Sequence, residues 1–131
     1  MLALLLGTYL HAQNDPKPTS NEEHKFLSGI RQLTFEGKRS GEGYFSANGK
    51  KLIFQSERHK GNPFYQIYIL DMGNGDTERI SPGNGRTTCA WIHPTGNKVL
   101  FASTHEDSDA IRKQKDEFKE RESSTKRRYS W

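Results

Sequence analysis

Tyr44-Phe45-Ser46-Ala47-Asn48-Gly49-Lys50-Lys51-Leu52-Ile53-Phe54-Gln55-Ser56 returns 47 residues later as Trp91-Ile92-His93-Pro94-Thr95-Gly96-Asn97-Lys98-Val99-Leu100-Phe101-Ala102-Ser103. Upstream, Arg31-Gln32-Leu33-Thr34 matches Glu78-Arg79-Ile80-Ser81 at the same offset. Five pairs are identical in that register: Arg39/Arg86, Gly49/Gly96, Lys51/Lys98, Phe54/Phe101 and Ser56/Ser103. Others keep their character, as in Tyr44/Trp91, Leu33/Ile80 and Thr34/Ser81. A fixed period in the forties, filled by short strands, is the pattern of stacked units such as the four-stranded blades of a β-propeller. The fold class this predicts is all-β. It is a partial propeller of about one and a half antiparallel blades, with a charged helical insertion near the C-terminus.

The first unit divides into four expected strands. Glu42–Ser46 is the inner strand, followed by a hairpin turn centred on Asn48-Gly49, a pair that tolerates the positive φ such turns demand. Lys51–Ser56 is the second strand, dense in β-formers. Glu57–Phe64 reads as a polar loop. Tyr65–Asp71 is the third strand, with Tyr65, Ile67 and Ile69 alternating against Gln66, Tyr68 and Leu70, so that both faces are partly covered. Met72–Asp76 is a turn, and Thr77–Ser81 is the outer strand. The second unit starts at Thr88, turns at Thr95-Gly96 and runs to Ser103 or Thr104. The blades therefore span residues 31–104, with Arg31–Phe35 an extra strand-like piece at their start. The expected core is Phe54, Phe101, Ile67, Ile69 and Trp91.

Residues 105–131 interrupt the pattern. Asp109–Glu122 reads as a helix, with Lys113/Glu117, Glu117/Arg121 and Arg112/Asp116 at i,i+4 spacing. Its bulky apolar residues are Ile111 and Phe118, a thin stripe for touching the body. Tyr129-Ser130-Trp131 resembles the start of a further strand.

These motifs resemble the TolB-like, WD-repeat-like propellers of exported bacterial proteins. The family pattern is a Leu-Thr ending, an aromatic-Ser-Pro-Asp-Gly-Lys turn, an Ile-Phe-x-Ser strand and an Ile-Tyr-hydrophobic-Asp strand. Here it reads Leu33-Thr34, Phe45-Ser46-Ala47-Asn48-Gly49-Lys50, Leu52-Ile53-Phe54-Gln55-Ser56 and Ile67-Tyr68-Ile69-Leu70-Asp71. Ala47-Asn48 replaces Pro-Asp, Asn97 precedes Lys98 in the second copy, and the insertion displaces that copy's third strand. The family's motif residues build turns and blade cores. The resemblance implies a propeller that presents loops to a protein or ligand, its remaining blades completing the ring. An alternative is the N-terminal propeller of a larger exported peptidase or other hydrolase, and a third reading is a structural fragment without activity of its own.

Composition bounds the function. The chain has 131 residues and a mass of 15.0 kDa, the size of one domain. Only 31% of residues are hydrophobic and mean hydropathy is −0.94, the polar excess lying in residues 13–25 and 105–130. Net charge is +4 and the pI about 9.2. Residues 105–130 interleave eight Lys/Arg with seven Asp/Glu, so there is no sustained basic stripe and no nucleic-acid partner is expected. Residues 1–12 read as a signal peptide, with Leu2–Leu10 the apolar run and His11-Ala12 at the cleavage site, although no basic residue precedes it. That run falls short of the roughly 20 residues a membrane helix needs, so no stable transmembrane span is expected. Residues 13–30, with Pro16 and Pro18, have a linker composition. The location implied is exported, periplasmic or secreted.

Candidate chemistry is sparse. Cys89, the single cysteine, cannot form an internal disulfide. A reactive thiol needs an electropositive setting, which Ala90-Trp91-Ile92 does not supply, so Cys89 reads as a small strand residue. His105-Glu106-Asp107-Ser108-Asp109 gathers metal-capable side chains, but a zinc site needs three or four converging ligands, and the stretch reads as a solvated loop leading into the helix. His11, His24, His59 and His93 are scattered. Serines lack a Gly-x-Ser-x-Gly elbow. Gly73-Asn74-Gly75 and Gly83-Asn84-Gly85 lack a phosphate-loop lysine and helix, so they read as turns. No catalytic, cofactor-binding or metal residue and no cofactor is expected, and the chain does not read as an enzyme.

Overall fold

A computed structural model describes residues 25–123. The stretch expected to be a signal peptide, most of the expected linker and Tyr129-Ser130-Trp131 lie outside the described residues. The chain divides into two units, Met1–Leu33 and Thr34–Trp131. Arg31–Phe35 forms no strand, which corrects that expectation.

In the second unit, Ser40–Phe45 (β1), Lys51–Ser56 (β2), Gln66–Asp71 (β3) and Thr77–Arg79 (β4) form a four-stranded antiparallel sheet in sequence order. Thr87–Ile92 (β5) and Val99–Ser103 (β6) form a second, two-stranded antiparallel sheet. Ala110–Ser123 is a single helix, α1. The described residues are thus mostly β, as two antiparallel sheets and one helix.

The turns follow the sequence chemistry with one difference. Gly49 donates its N–H to the Ser46 carbonyl at 2.9 Å, and Ser46 N–H closes the loop on the Lys51 carbonyl at 2.8 Å. Only Gly49 takes positive φ, at 68°. Asn48 instead accepts from Ser46 Oγ at 2.9 Å and from the Lys50 N–H at 3.0 Å, and so fixes the turn with its side chain. The β5–β6 turn repeats the backbone pair, Gly96 N–H to His93 O and His93 N–H to Lys98 O.

Strand ends shift where side chains intervene. β1 begins at Ser40 rather than Glu42, because Lys38 N–H bonds the Glu57 carbonyl and Glu57 N–H bonds the Arg39 carbonyl, extending the ladder outward. β4 stops at Arg79 rather than Ser81. Ile80 N–H still reaches the Ile67 carbonyl, but Ser81 Oγ takes over as acceptor for the Ile67 N–H.

The core differs in membership from the expected set. Ile53, Ile67 and Ala90 form its buried centre, with Ile69, Ile80, Ile92 and Phe101 packed around them. Phe54 is buried as expected, whereas Phe101 and Ile69 are half-buried. Trp91 is a correction: it is 45% exposed, and its register partner across β5–β6, Leu100, is exposed too.

The helix also corrects its expected face. Ala110, Gln114 and Glu117 are buried, while Ile111 is exposed and Phe118 half-buried. Arg121 explains the burial of Glu117, because it bonds Glu117 Oε1 at 2.8 Å and also reaches Glu57, itself bonded by Arg39 Nε at 2.7 Å. A charged network, rather than an apolar stripe, ties α1 to the end of β2. Burial pushes the Arg121 guanidinium down, yet the hydrogen bonds it donates to Glu117 and Glu57 outweigh it and hold its pKa above the usual arginine value.

Candidate interaction surface

The two hairpins pair in the same way. In β1–β2 the partners are Ser40/Ser56, Gly41/Gln55, Tyr44/Ile53 and Phe45/Leu52. In β5–β6 they are Thr87/Ser103, Thr88/Ala102, Trp91/Leu100 and Ile92/Val99. Each pair of the second set stands 47 residues beyond its counterpart. Both hairpins also break register at one place, between Gly41 and Tyr44 and between Thr88 and Trp91. Within those bulges Glu42 and Cys89 have positive φ, 47° and 54°, the only described non-glycine residues that do. Bulged strands place residues in such conformations, at a cost of order 1–3 kcal/mol each, when surrounding contacts hold them.

The contacts join the two bulges to each other. Cys89 Sγ donates to Glu42 Oε2 at 3.2 Å, and Cys89 N–H donates to Gln55 Oε1 at 3.2 Å. Beside them the Tyr44 and Trp91 rings lie 5.2 Å apart at 37°, a tilted contact of the kind aromatic pairs favour. Cys89 is thus half-buried, with its thiol hydrogen-bonded to the Glu42 carboxylate.

Exposure separates the two copies of one position. Ile53, on the face of β2 that meets β5, is 0% exposed, while Leu100, 47 residues on, is 70% exposed. Trp91, opposite Leu100, shares that open face, and Phe45 and Tyr44 are exposed on β1. The first sheet has a neighbour over its Ile53 face. Among the described residues the second sheet has none over its Leu100 face.

The groups singled out for metal or catalysis do not converge. Among the described residues no three His, Cys, Asp or Glu side chains could hold a metal. His105 Nδ1 lies 2.7 Å from Ser103 Oγ. Asp107 pairs with Lys113, and Asp109 with Arg112 at 2.8 Å. The hydrogen bond from Lys113 holds the Asp107 carboxyl below its usual range, and that from Arg112 does the same for Asp109. Arg112 also reaches Asp116 at 2.9 Å, as its i,i+4 spacing implied, whereas Lys113 serves Asp107 rather than Glu117. These residues start the helix: Ala110 N–H bonds the Asp107 carbonyl and Lys113 N–H bonds the Asp109 carbonyl. Gly73–Gly75 and Gly83–Gly85 lie in loops. At Gly85 a side chain would collide with the Thr104–His105 backbone, 2.8 Å from an added Cβ.

Polar residues that sequence reasoning left in loops or on strand faces hold the β4–β5 connection. Asn62 donates to the Gly83 and Gly85 carbonyls at 3.0 and 2.7 Å. Gln66 donates to the Gly85 carbonyl at 2.9 Å and accepts from Ser81 Oγ and the Gly83 N–H. Thr87 donates twice to the Tyr65 carbonyl. All three side chains are buried, and together they fix where β5 leaves the first sheet. Among the described residues no helix is long and apolar enough to cross a membrane. No protein-family model matches the chain, and neither the curated proteins nor the solved structures contain a significant match to it.

Proposed function

We propose that this chain is an exported, non-catalytic β-propeller module of the TolB-like kind, whose partners are first of all further units of its own repeat. One observation carries the reading. The repeat position that is fully buried in the first copy, Ile53, is 70% exposed in the second, Leu100. The face bearing Leu100 and Trp91 therefore matches a surface that another sheet covers elsewhere in the same chain. Its fitting partner is an antiparallel hairpin presenting a small residue and a phenylalanine, as β5–β6 presents Ala90 and Phe101 to Ile53 and Ile67. Apolar faces of this kind mark interaction sites, and stacked repeat units bury their faces only against neighbours. The apolar run of residues 2–10 supports export. Loops of the assembled stack would then hold the protein or small-molecule ligand.

Light scattering on the purified chain tests this. The wild type is expected to self-associate through the open face, and Leu100→Asp to shift it toward monomer without changing its β-sheet circular dichroism. A wild-type chain that is monodisperse and monomeric at high micromolar concentration would show the face to be self-sufficient and would overturn the proposal.

A further inference from the structure

On the first sheet, away from the β5–β6 contact, lies a cationic cluster without matching acids. Phe54, Tyr68 and Arg79 are register partners across β2, β3 and β4, so their side chains stand in a row on one face. The Phe54 and Tyr68 rings stack at 5.8 Å and 29°. Over them lies the Arg58 guanidinium, its Cζ 5.2 Å from the Phe54 centroid and 4.9 Å from that of Tyr68. Arg58 Nε donates to Ser56 Oγ at 3.0 Å.

The remaining donors of Arg58 are poorly matched. Its side chain is only 10% exposed, and its one acidic neighbour, Glu36, is 3.9 Å from Nη1 and 81% exposed. Nη2 is buried with no hydrogen-bond partner. A buried guanidinium is normally paired, because stripping water from a cation is costly unless an anion or acceptors replace it. The ring faces offset part of that loss, but they accept no proton from Nη2.

A second cation, Arg79, is the register partner of Tyr68 and, like Arg58, acts electrostatically on its hydroxyl. The Arg79 guanidinium lies against Gly83, where an added Cβ would come within 2.8 Å of Cζ. Glycine thus leaves the room that Arg79 occupies. Arg79 forms no salt bridge among the described residues. Burial raises the Tyr68 hydroxyl above its usual pKa, so it remains a neutral donor. Burial and the Arg79 charge lower His59, which leaves that ring uncharged near pH 7 and able to accept or donate one proton.

We propose that Arg58, Arg79 and Tyr68 form a binding site for a phosphate group. Two guanidinium forks and a phenol present more donors than a carboxylate can accept, whereas a phosphate has three free oxygens and up to two charges. The stacked Phe54 and Tyr68 rings hold the Arg58 fork in plane, and Gly83 allows Arg79 to close from the side. The site is independent of the open Leu100 face, so neither proposal depends on the other.

Isothermal titration calorimetry of the full chain at constant ionic strength decides it, with inorganic phosphate, phosphoserine and acetate as separate probes. Phosphate is expected to bind, and Arg79→Gln, at an exposed position, to weaken it by about ten-fold or more, with the unliganded melting temperature little changed. Tyr68→Phe keeps the ring and is expected to weaken binding by a smaller factor. Phosphoserine binding tighter than inorganic phosphate would identify a phosphomonoester as the source, and the reverse order a free phosphate. Either order supports the site. No heat with either phosphate probe, binding unchanged in Arg79→Gln, or acetate binding as tightly as phosphate would each overturn it.

Discussion

Ile53→Ala and Leu100→Ala truncate equivalent positions of the two hairpins, and they should behave differently. Ile53 is fully buried against Ile67 and Ala90. The substitution removes three carbons, about 2.4 kcal/mol at about 0.8 kcal/mol per buried carbon. The cavity left behind raises the expected loss into the range of about 2–5 kcal/mol. Leu100 is 70% exposed, so its truncation should change stability by no more than about 0.5 kcal/mol. For a domain of this size each kcal/mol shifts the melting temperature by about 4–8 °C. The expected outcome is a drop of about 10 °C or more for Ile53→Ala and about 4 °C or less for Leu100→Ala. Urea unfolding at low protein concentration, followed by circular dichroism and tryptophan fluorescence, supplies the matching free energies. Equal losses in the two variants would mean that the Leu100 face is already covered in the isolated chain. A negligible loss in Ile53→Ala would mean that β5–β6 does not pack on the first sheet in solution. Either result would refute the reasoning from exposure to function.

Three further outcomes follow from the polar contacts. Glu57→Ala removes the buried acid between Arg39 and Arg121, and because both arginines are about one-third exposed the expected loss is about 1–3 kcal/mol, below that of a fully buried pair; hydrogen exchange should show faster opening over residues 110–123. Asn62→Ala leaves the Gly83 and Gly85 carbonyls without that donor and should destabilise by about 1–3 kcal/mol, seen as a lower urea midpoint, whereas Asn74→Ala, in an exposed turn, should not. Asp107 and Asp109 have folded pKa values below the unfolded value of 3.8, so the stability they add is present above that value and is lost as pH falls through the folded pKa; an acid titration of helical circular dichroism should show this loss, and Asp107→Asn should flatten it.

The sequence made the strands and turns legible because their chemistry is local. The β-branched and aromatic runs at Lys51–Ser56 and Val99–Ser103 and the glycines at 49 and 96 specify hairpins wherever they occur. The buried polar residues were not legible. Glu57, Asn62 and Gln66 carry no periodic signal, and their burial depends on carbonyls and guanidinium groups supplied from distant parts of the chain. For the same reason α1 buries Glu117, held by Arg121, while Ile111 is exposed. Arg58 was equally hidden, since its ring partner Tyr68 and its neighbour Arg79 come together only when β2, β3 and β4 align.

Trp91 shows what separates the two kinds of information. Its place opposite Leu100, and the place of Tyr44 opposite Ile53, follow from the hairpin register, and that register follows from the residues between them. Which face a side chain takes is thus a property of its own unit. Whether that face is dry is a property of the next unit. Ile53 is buried because β5–β6 stands beside it, and Leu100 lies open because no described sheet stands beside β5–β6. A repeat read from sequence predicts the same burial for both copies, and a stack of this kind satisfies that prediction only where a neighbour is present. In the proposed stack, the difference between the two copies marks the face that a partner would cover. It ties the proposed interaction to two side chains, Trp91 and Leu100, that can be changed without touching the core.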